Sequence, residues 1–316
     1  MAHREMLTTF GQFAEAVALV SRGQPGHIID TLIAERGQKI VRHPLWPVMR
    51  PFLYTVLRYR KAVEFAEAVA HMPGFQAFLH LSGLLKLDIQ VAHAERIPAS
   101  GGFILVCNHP TGIADGIAVF DLLKDRRPDM IFFGNRDAVR LNPRFSEIVI
   151  PVEWREEHKS KLKARETLQL TNRAIEAQKA TVLFPSGRIA YWADGKLNER
   201  PWKTSAVGLA RKYNLPILPV HMRARNSGLF YWLAKWSTEL RDMTVFHELL
   251  NKKGDRFDFT VGHLIMPDAL EGDVGDVTRA LEQHTVHDLA ADADAEFTPH
   301  ASLATSTGSP VAVDGS

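Results

Sequence analysis

Residues 101–124 read "GGFILVCNHPTGIADGIAVFDLLK". Gly101 and Gly102 make a turn, Phe103 to Cys107 are an unbroken apolar run of strand length, and Gly116 to Lys124 place apolar residues at helical spacing. A strand apolar at every position is expected where both faces of a sheet are covered, as in parallel sheets. The stretch therefore predicts a buried strand, a loop over 108–114 and a helix that starts near Asp115 or Gly116.

The same alternation continues on both sides. "LDIQVAHAERI" (87–97), "DMIFFG" (129–134), "EIVIPV" (147–152), "ATVLFP" (180–185), "LPILPVHM" (215–222) and "RFDFTVGHLIMP" (256–267) read as strands. Between them, "HKSKLKARETLQLTNRAIEAQ" (158–178) and "TSAVGLARKYN" (204–214) read as helices, the latter stopped by Asn214 and Pro216. Before Leu87 there is no strand signal, only helical spacing in "FAEAVALVS" (13–21), "IIDTLIAERG" (28–37), "RPFLYTVLRYRKAVEFAEAVAHM" (50–72) and "FQAFLHLSGLLKL" (75–87). The expected fold is α/β: a layered, mixed but mainly parallel sheet flanked by helices, with an N-terminal helical region. The expected division is a helical region at 1–86, a catalytic domain at 87–270, and a short helix over 277–290 followed by a disordered tail within 271–316. Small polar residues in the tail bury too little surface to offset ordering entropy.

With 316 residues, 46% of them hydrophobic, the chain can bury a sizeable core. A formal net charge of +2 argues against nucleic acid as a partner, while local clusters of Arg and Lys suit an anionic ligand or surface. The single cysteine, Cys107, excludes an intramolecular disulfide framework and fits a reducing compartment, so a cytoplasmic location is expected. No run reaches the eighteen or so apolar residues of a membrane span, and Glu15, Arg22 and Gln24 interrupt any signal-peptide core.

A buried strand at 103–107 delivers Asn108 and His109 to its carboxyl end, where open α/β sheets place ligands. His109 is then a candidate general base, and Asp115 a carboxylate able to fix its tautomer. Residues six apart on one helix lie roughly 120° apart around the axis, so the pair meets only if Pro110 to Ala114 fold back. Gly112, free to take positive φ, and Pro110 allow that. The plainer alternative is a hydrogen-bonded loop histidine with Asp115 as a helix N-cap.

From about Leu87 to Pro267 the chain resembles the PlsC-like glycerolipid and lysophospholipid acyltransferases. Their first motif is Asn-His, four residues, then Asp, and "CNHPTGIADG" resembles it with five residues between His109 and Asp115. "VLFPSGRIAYW" (182–192) resembles their Phe-Pro-Glu-Gly-Thr-Arg motif, with Ser186 in place of Glu and Arg188 one position early. "LPILPVHM" resembles their proline-flanked strand, and "IVIPVEWREEH" (148–158) their strand ending in Arg. The resemblance implies an O-acyltransferase of phospholipid and glycerolipid metabolism. In it, His109 would remove the proton of an acceptor hydroxyl that attacks the thioester of acyl-CoA or acyl-carrier protein, and Asp115 would orient His109. Asn108, Gly112, Arg155, Ser186, Gly187, Arg188 and Lys203 would contact substrate, with Arg188, Arg155 and Lys203 on an anionic head group. Amides near Gly112 or Gly187 would receive the oxyanion. No metal or cofactor is required. The implied partners are the acyl donor, a lyso-lipid or glycerophosphate acceptor, and the cytoplasmic face of a membrane on which the protein lies peripherally.

Competing readings are a lipid-binding protein without catalysis on the same scaffold, and a thioester hydrolase that uses His109 on water. Cys107 beside His109 raises a Cys-His nucleophile, but a cysteine ending an apolar strand is ordinarily core. "FHELL" (246–250) lacks the second histidine of a zinc helix, and His221 and His263 fall within expected strands. In "PLWPVMRPFLYTVLRYRK" (44–61), Leu45, Val48, Met49, Phe52, Leu53, Val56 and Leu57 form an apolar stripe, with Arg50, Arg58, Arg60, Lys61, Trp46, Tyr54 and Tyr59 around it. That composition suits either an interfacial helix or a core helix.

Overall fold

The computed structural model describes residues 26–153, 155 and 158–299. Its centre is a seven-stranded sheet in the order β1-β9-β8-β2-β5-β3-β4. The strands are β1 (Asp88–Ala92), β2 (Phe103–Cys107), β3 (Ile131–Asn135), β4 (Val149–Val152), β5 (Ala180–Leu183), β8 (Ile217–Arg223) and β9 (Arg256–Val261). A separate antiparallel hairpin pairs β6 (Tyr191–Ala193) with β7 (Lys196–Asn198). β8, β2, β5, β3 and β4 run parallel, and β9 joins β8 antiparallel with β1 parallel to β9. The expected mainly parallel α/β sheet is the one found.

Alternation along β2 explains why its sequence is apolar throughout. Phe103, Leu105 and Cys107 point to one face, where the helices Tyr59–Val69, Gly74–Leu85 and Ile113–Leu123 contribute Phe65, Phe78, Ile117 and Phe120. Ile104 and Val106 point to the other, covered by Ser205–Tyr213 and Val274–Gln283 through Val207, Ala210, Val277 and Leu281. All five β2 residues are buried. The N-terminal helices thus share a core with the sheet, and a second cluster of Ile29, Leu32, Ala62, Ala66, Met243 and Phe246 ties the helix Ile28–Arg36 to the segment after β8.

Several local expectations change. The helix after β2 starts at Ile113, because Gly112, at φ 96° and ψ −122°, caps it and places Asp115 in its first turn. The hairpin β6–β7 is a further element: Asp194 and Gly195 have φ of 51° and 73°, the left-handed pair of a tight turn. Helices at Gly228–Trp236, Thr238–Met243 and Val245–Asn251 fill a stretch that carried no assignment, and β9 ends at Val261, leaving His263 outside it. Phe297 packs on the second face, its ring 5.7 Å from that of His284, so the chain stays folded past Ala290. The expected helix at 13–21 and the tail from 300 onward lie outside the described residues.

Candidate active site

The parallel strands β8, β2 and β5 end side by side, and the segments leaving them meet around His109. His109 Nδ1 lies 2.9 Å from Asp115 Oδ2; Asp115 is fully buried and the imidazole is 18% exposed. The contact is off the ring N–H axis, so Nδ1 has no aligned acceptor, and Nε2 is the nitrogen left for a reacting group. The loop does fold back, over 109–112. Its amides explain how: the Thr111 and Gly112 N–H groups each donate to Asp115 Oδ2 at 2.9 Å, and the Thr111 hydroxyl donates to Oδ1. The ring stacks on Phe184 at 4.5 Å between centroids, which fixes the imidazole plane from the loop after β5.

A residue not selected from sequence completes this arrangement. Both carboxylate oxygens of Glu199 lie 3.2 Å from the His109 backbone nitrogen, which donates to them, and the Ser186 side chain stands beside the same carboxylate. Burial pushes the Glu199 carboxyl above its usual range, against the lowering effect of Ser186 and the His109 N–H. The hairpin delivers Glu199 because its two ends are fastened: Ala190 N–H donates to the His109 carbonyl at 2.9 Å, and Lys203 N–H to the Pro185 carbonyl at 3.0 Å. The Asp-Gly pair at 194–195 was the available signal for the hairpin.

Other expected site residues are placed differently. Asn108 is buried and uses both ends of its amide on Met222, donating to its carbonyl at 2.8 Å and accepting from its N–H at 2.7 Å, which ties β2 to β8. Gly112 serves the turn: a Cβ there would meet Ile189 Cδ1 at 2.7 Å. Its N–H is engaged by Asp115 and that of Gly187 by the Phe184 carbonyl, so neither amide is free for an oxyanion. Ser186 is buried, and its hydroxyl donates to the Arg188 carbonyl at 3.0 Å. Arg188 and Lys203 are exposed and make no ion pair among the described residues; Lys203 Nζ comes within 3.3 Å of the Cβ position of Gly187, so the cation overhangs that turn.

Arg155 is not open to a phosphate. Its guanidinium is 5% exposed and bonds Glu153 at 3.1 Å, Asp137 at 3.2 Å and Glu35 of the N-terminal helix. Arg36 and Arg140 join the same cluster on Asp137, so the group locks the helix Ile28–Arg36 to the ends of β3 and β4. Arg155→Leu is expected to cost roughly 3 kcal/mol, the low end for breaking a buried pair because two arginines remain on Asp137. Urea unfolding reads that loss, and the KM for an anionic acceptor should stay unchanged; a raised KM at full stability would return Arg155 to the substrate.

Cys107 lies in the core, where burial first and then the charges of Asp115 and Glu199 hold its thiol well above the ordinary range, so no thiolate is available for attack. His221 Nδ1 donates to the Thr285 carbonyl at 3.1 Å, and burial lowers its pKa to about 4. Among the described residues, no three His, Cys, Asp or Glu side chains converge as a metal site.

The fold and site define a class: an open α/β domain with a histidine–carboxylate pair at the carboxyl ends of its central strands. A family model described as Acyltransferase matches residues 88–223, the segment that holds β1 to β8 and every residue of the pair. Over that segment the chain is similar to acyltransferases, and two curated relatives are of the same kind. The lyso-glycine lipid O-acyltransferase of Phocaeicola vulgatus is 22% identical over 184 residues, 56% of this chain and 64% of its own length. That of Bacteroides thetaiotaomicron is 23% identical over 150 residues, 48% of this chain and 53% of its own length. The chain therefore spans less than two thirds of either relative. A solved structure, the 1-acyl-sn-glycerophosphate (LPA) acyltransferase PlsC from Thermotoga maritima, aligns at 15% identity over 84% of this chain and 96% of that one, with a TM-score of 0.45.

Proposed function

We propose that the protein transfers a fatty acyl group from a thioester donor, acyl-CoA or acyl-carrier protein, to a hydroxyl of a lyso-lipid with an anionic head. The observation that carries the reading is the 2.9 Å approach of His109 Nδ1 to a fully buried Asp115 at the carboxyl end of the central strand. His109 Nε2 takes the hydroxyl proton as the oxygen attacks the thioester carbonyl. A C–O bond forms, the C–S bond breaks, and the proton passes to the departing sulfur, so no metal or cofactor enters the balance. Asp115 holds the imidazolium formed on the way, and Glu199 holds the backbone from which His109 projects. Arg188 and Lys203 face the acceptor's anionic head. Both relatives carry the name lyso-glycine lipid O-acyltransferase, which points to a carboxylate-bearing acceptor ahead of a phosphate-bearing one. Labelled acyl-CoA offered with lyso-glycine lipid, lysophosphatidate and glycerol 3-phosphate tests this. Acyl ester should form with a lyso-lipid; free fatty acid formed without acceptor would make the protein a hydrolase.

The acceptor resides in a bilayer, and the helix Trp46–Val56 offers a surface for one. Leu45, Val48, Met49, Phe52 and Val56 are 57%, 77%, 37%, 68% and 38% exposed and recur at helical spacing. Tyr54 and Tyr59 do not flank this stripe: their hydroxyls turn inward onto Asp30, at 2.7 and 2.5 Å, with Arg50 on the same carboxylate at 3.0 Å. Leu57 is also buried, in the cluster around Ile29. Among the described residues no helix is long and apolar enough to cross a membrane. The reading is peripheral attachment at the cytoplasmic face. Phe52→Glu is expected to lower binding to anionic vesicles at least tenfold, since burying a phenylalanine contributes about 1.5–3 kcal/mol. Transfer to a detergent-dispersed acceptor should persist; unchanged vesicle binding would remove this surface from consideration.

A further inference from the structure

On the side of His109 away from β5, at the carboxyl end of β8, lies an open groove of about 640 Å³ lined by Trp192, Arg225, Asn226, Tyr231, Trp232 and Lys235, among others. Asn226 is 4% exposed. Its Nδ2 donates to the Thr111 carbonyl at 3.2 Å and its backbone N–H to the Tyr231 hydroxyl at 3.0 Å, but its Oδ1 accepts nothing from the described residues. Buried acceptors without a donor are rare because they lose hydration without compensation. With Nδ2 committed to Thr111, Oδ1 is the end of the amide left for a ligand N–H or O–H.

The remaining lining defines that ligand further. Arg225 and Lys235 are exposed and have no ion pair among the described residues, whereas the third cation of the groove, Lys252, faces Glu248 at 3.5 Å and Asp255 at 3.8 Å. Unbalanced positive charge therefore favours an anion. Trp192 and Trp232, 46% and 56% exposed, offer flat apolar faces beside it. A transferase must bring two substrates to one imidazole from different directions, because the acceptor oxygen lies between the base and the thioester carbon. Arg188 and Lys203 stand on the segments after β5, and the groove stands on the β8 side.

We propose that this groove binds the phosphopantetheine arm of the acyl donor, with Asn226 Oδ1 accepting from an amide N–H or hydroxyl of the arm and Arg225 and Lys235 facing its phosphate. The inference rests on the acyl-transfer reading and locates the donor within it. The same asparagine holds Thr111, whose N–H and hydroxyl hold Asp115, so the group that reads the donor also braces the catalytic loop.

Calorimetric titration of the full chain carrying His109→Ala, which binds without turnover, tests the assignment with four probes: CoA, phosphopantetheine, holo-acyl-carrier protein and glycerol 3-phosphate. Arg225→Ala/Lys235→Ala and Trp232→Ala alter exposed side chains, and unchanged thermal melting confirms their fold. At least one pantetheine-bearing probe should bind, weaken tenfold or more in the double variant and lose affinity in Trp232→Ala, with glycerol 3-phosphate unaffected. Tight binding of CoA identifies the nucleotide form as donor; binding of the carrier protein with phosphopantetheine but not CoA identifies the protein-bound form. Unchanged donor affinity in the variants, a loss confined to glycerol 3-phosphate, or no binding of any pantetheine probe overturns the proposal. Failure of the acyl-transfer reading shows separately, as the absence of any acyl ester from the wild-type chain in the transfer assay.

Discussion

His109→Ala is expected to lower acyl transfer by about 10²- to 10⁴-fold, the usual contribution of a positioned general base. The fold should survive, because the buried Asp115 carboxylate keeps its bonds from the Thr111 and Gly112 amides and from the Thr111 hydroxyl. Loss should appear in kcat, since the imidazole acts on a proton in flight and not on the bound head group. Exogenous imidazole should restore part of the rate in the alanine variant. A variant that retains wild-type kcat would remove His109 from the chemistry.

Glu199→Ala is expected to reduce kcat about a hundredfold, the cost of displacing a reacting group by roughly 1 Å. Glu199 touches the backbone of His109 and not the reacting atoms, so it is a positioning residue. KM values for donor and acceptor should change little, and Glu199→Gln should recover part of the rate, because one amide oxygen still accepts from the His109 N–H. The sharper readout is the double variant Ser186→Glu/Glu199→Ala. Ser186 stands beside the Glu199 carboxylate, so a glutamate there approaches the same amide from the segment after β5. Recovery of rate in the double variant over Glu199→Ala locates the function in the carboxylate's position. A lowered melting temperature with normal kcat per folded molecule would make Glu199 only structural.

The strands and most flanking helices were legible because each is a local pattern. Five consecutive buried residues in β2 require five apolar side chains, and the turn of Gly101 and Gly102 marks where they start. The hairpin was missed although its Asp-Gly turn was present, since three-residue strands with half-exposed positions carry almost no alternation. The helices between 228 and 251 went unassigned because they are short and broken by caps at Ser227 and Ser237. Arg155 illustrates the opposite error. A cation at the end of a strand suits a phosphate equally well by composition, and only the fold reveals that Glu35, from 120 residues earlier, already occupies it.

By itself the sequence determined the α/β layering, the placement of His109 at the end of a buried strand, and the need for the chain to turn back at Gly112 if Asp115 was to reach it. These follow from periodicity and backbone freedom, which act between near neighbours. Tertiary structure alone decided which distant groups converge: Glu199 on the His109 amide, Phe184 on its ring, Asn226 on Thr111, and three acids on Arg155. Hydrogen bonds and ion pairs have no sequence periodicity. Their partners are set by which strand ends the sheet order makes adjacent, and that order is fixed by packing of the whole core.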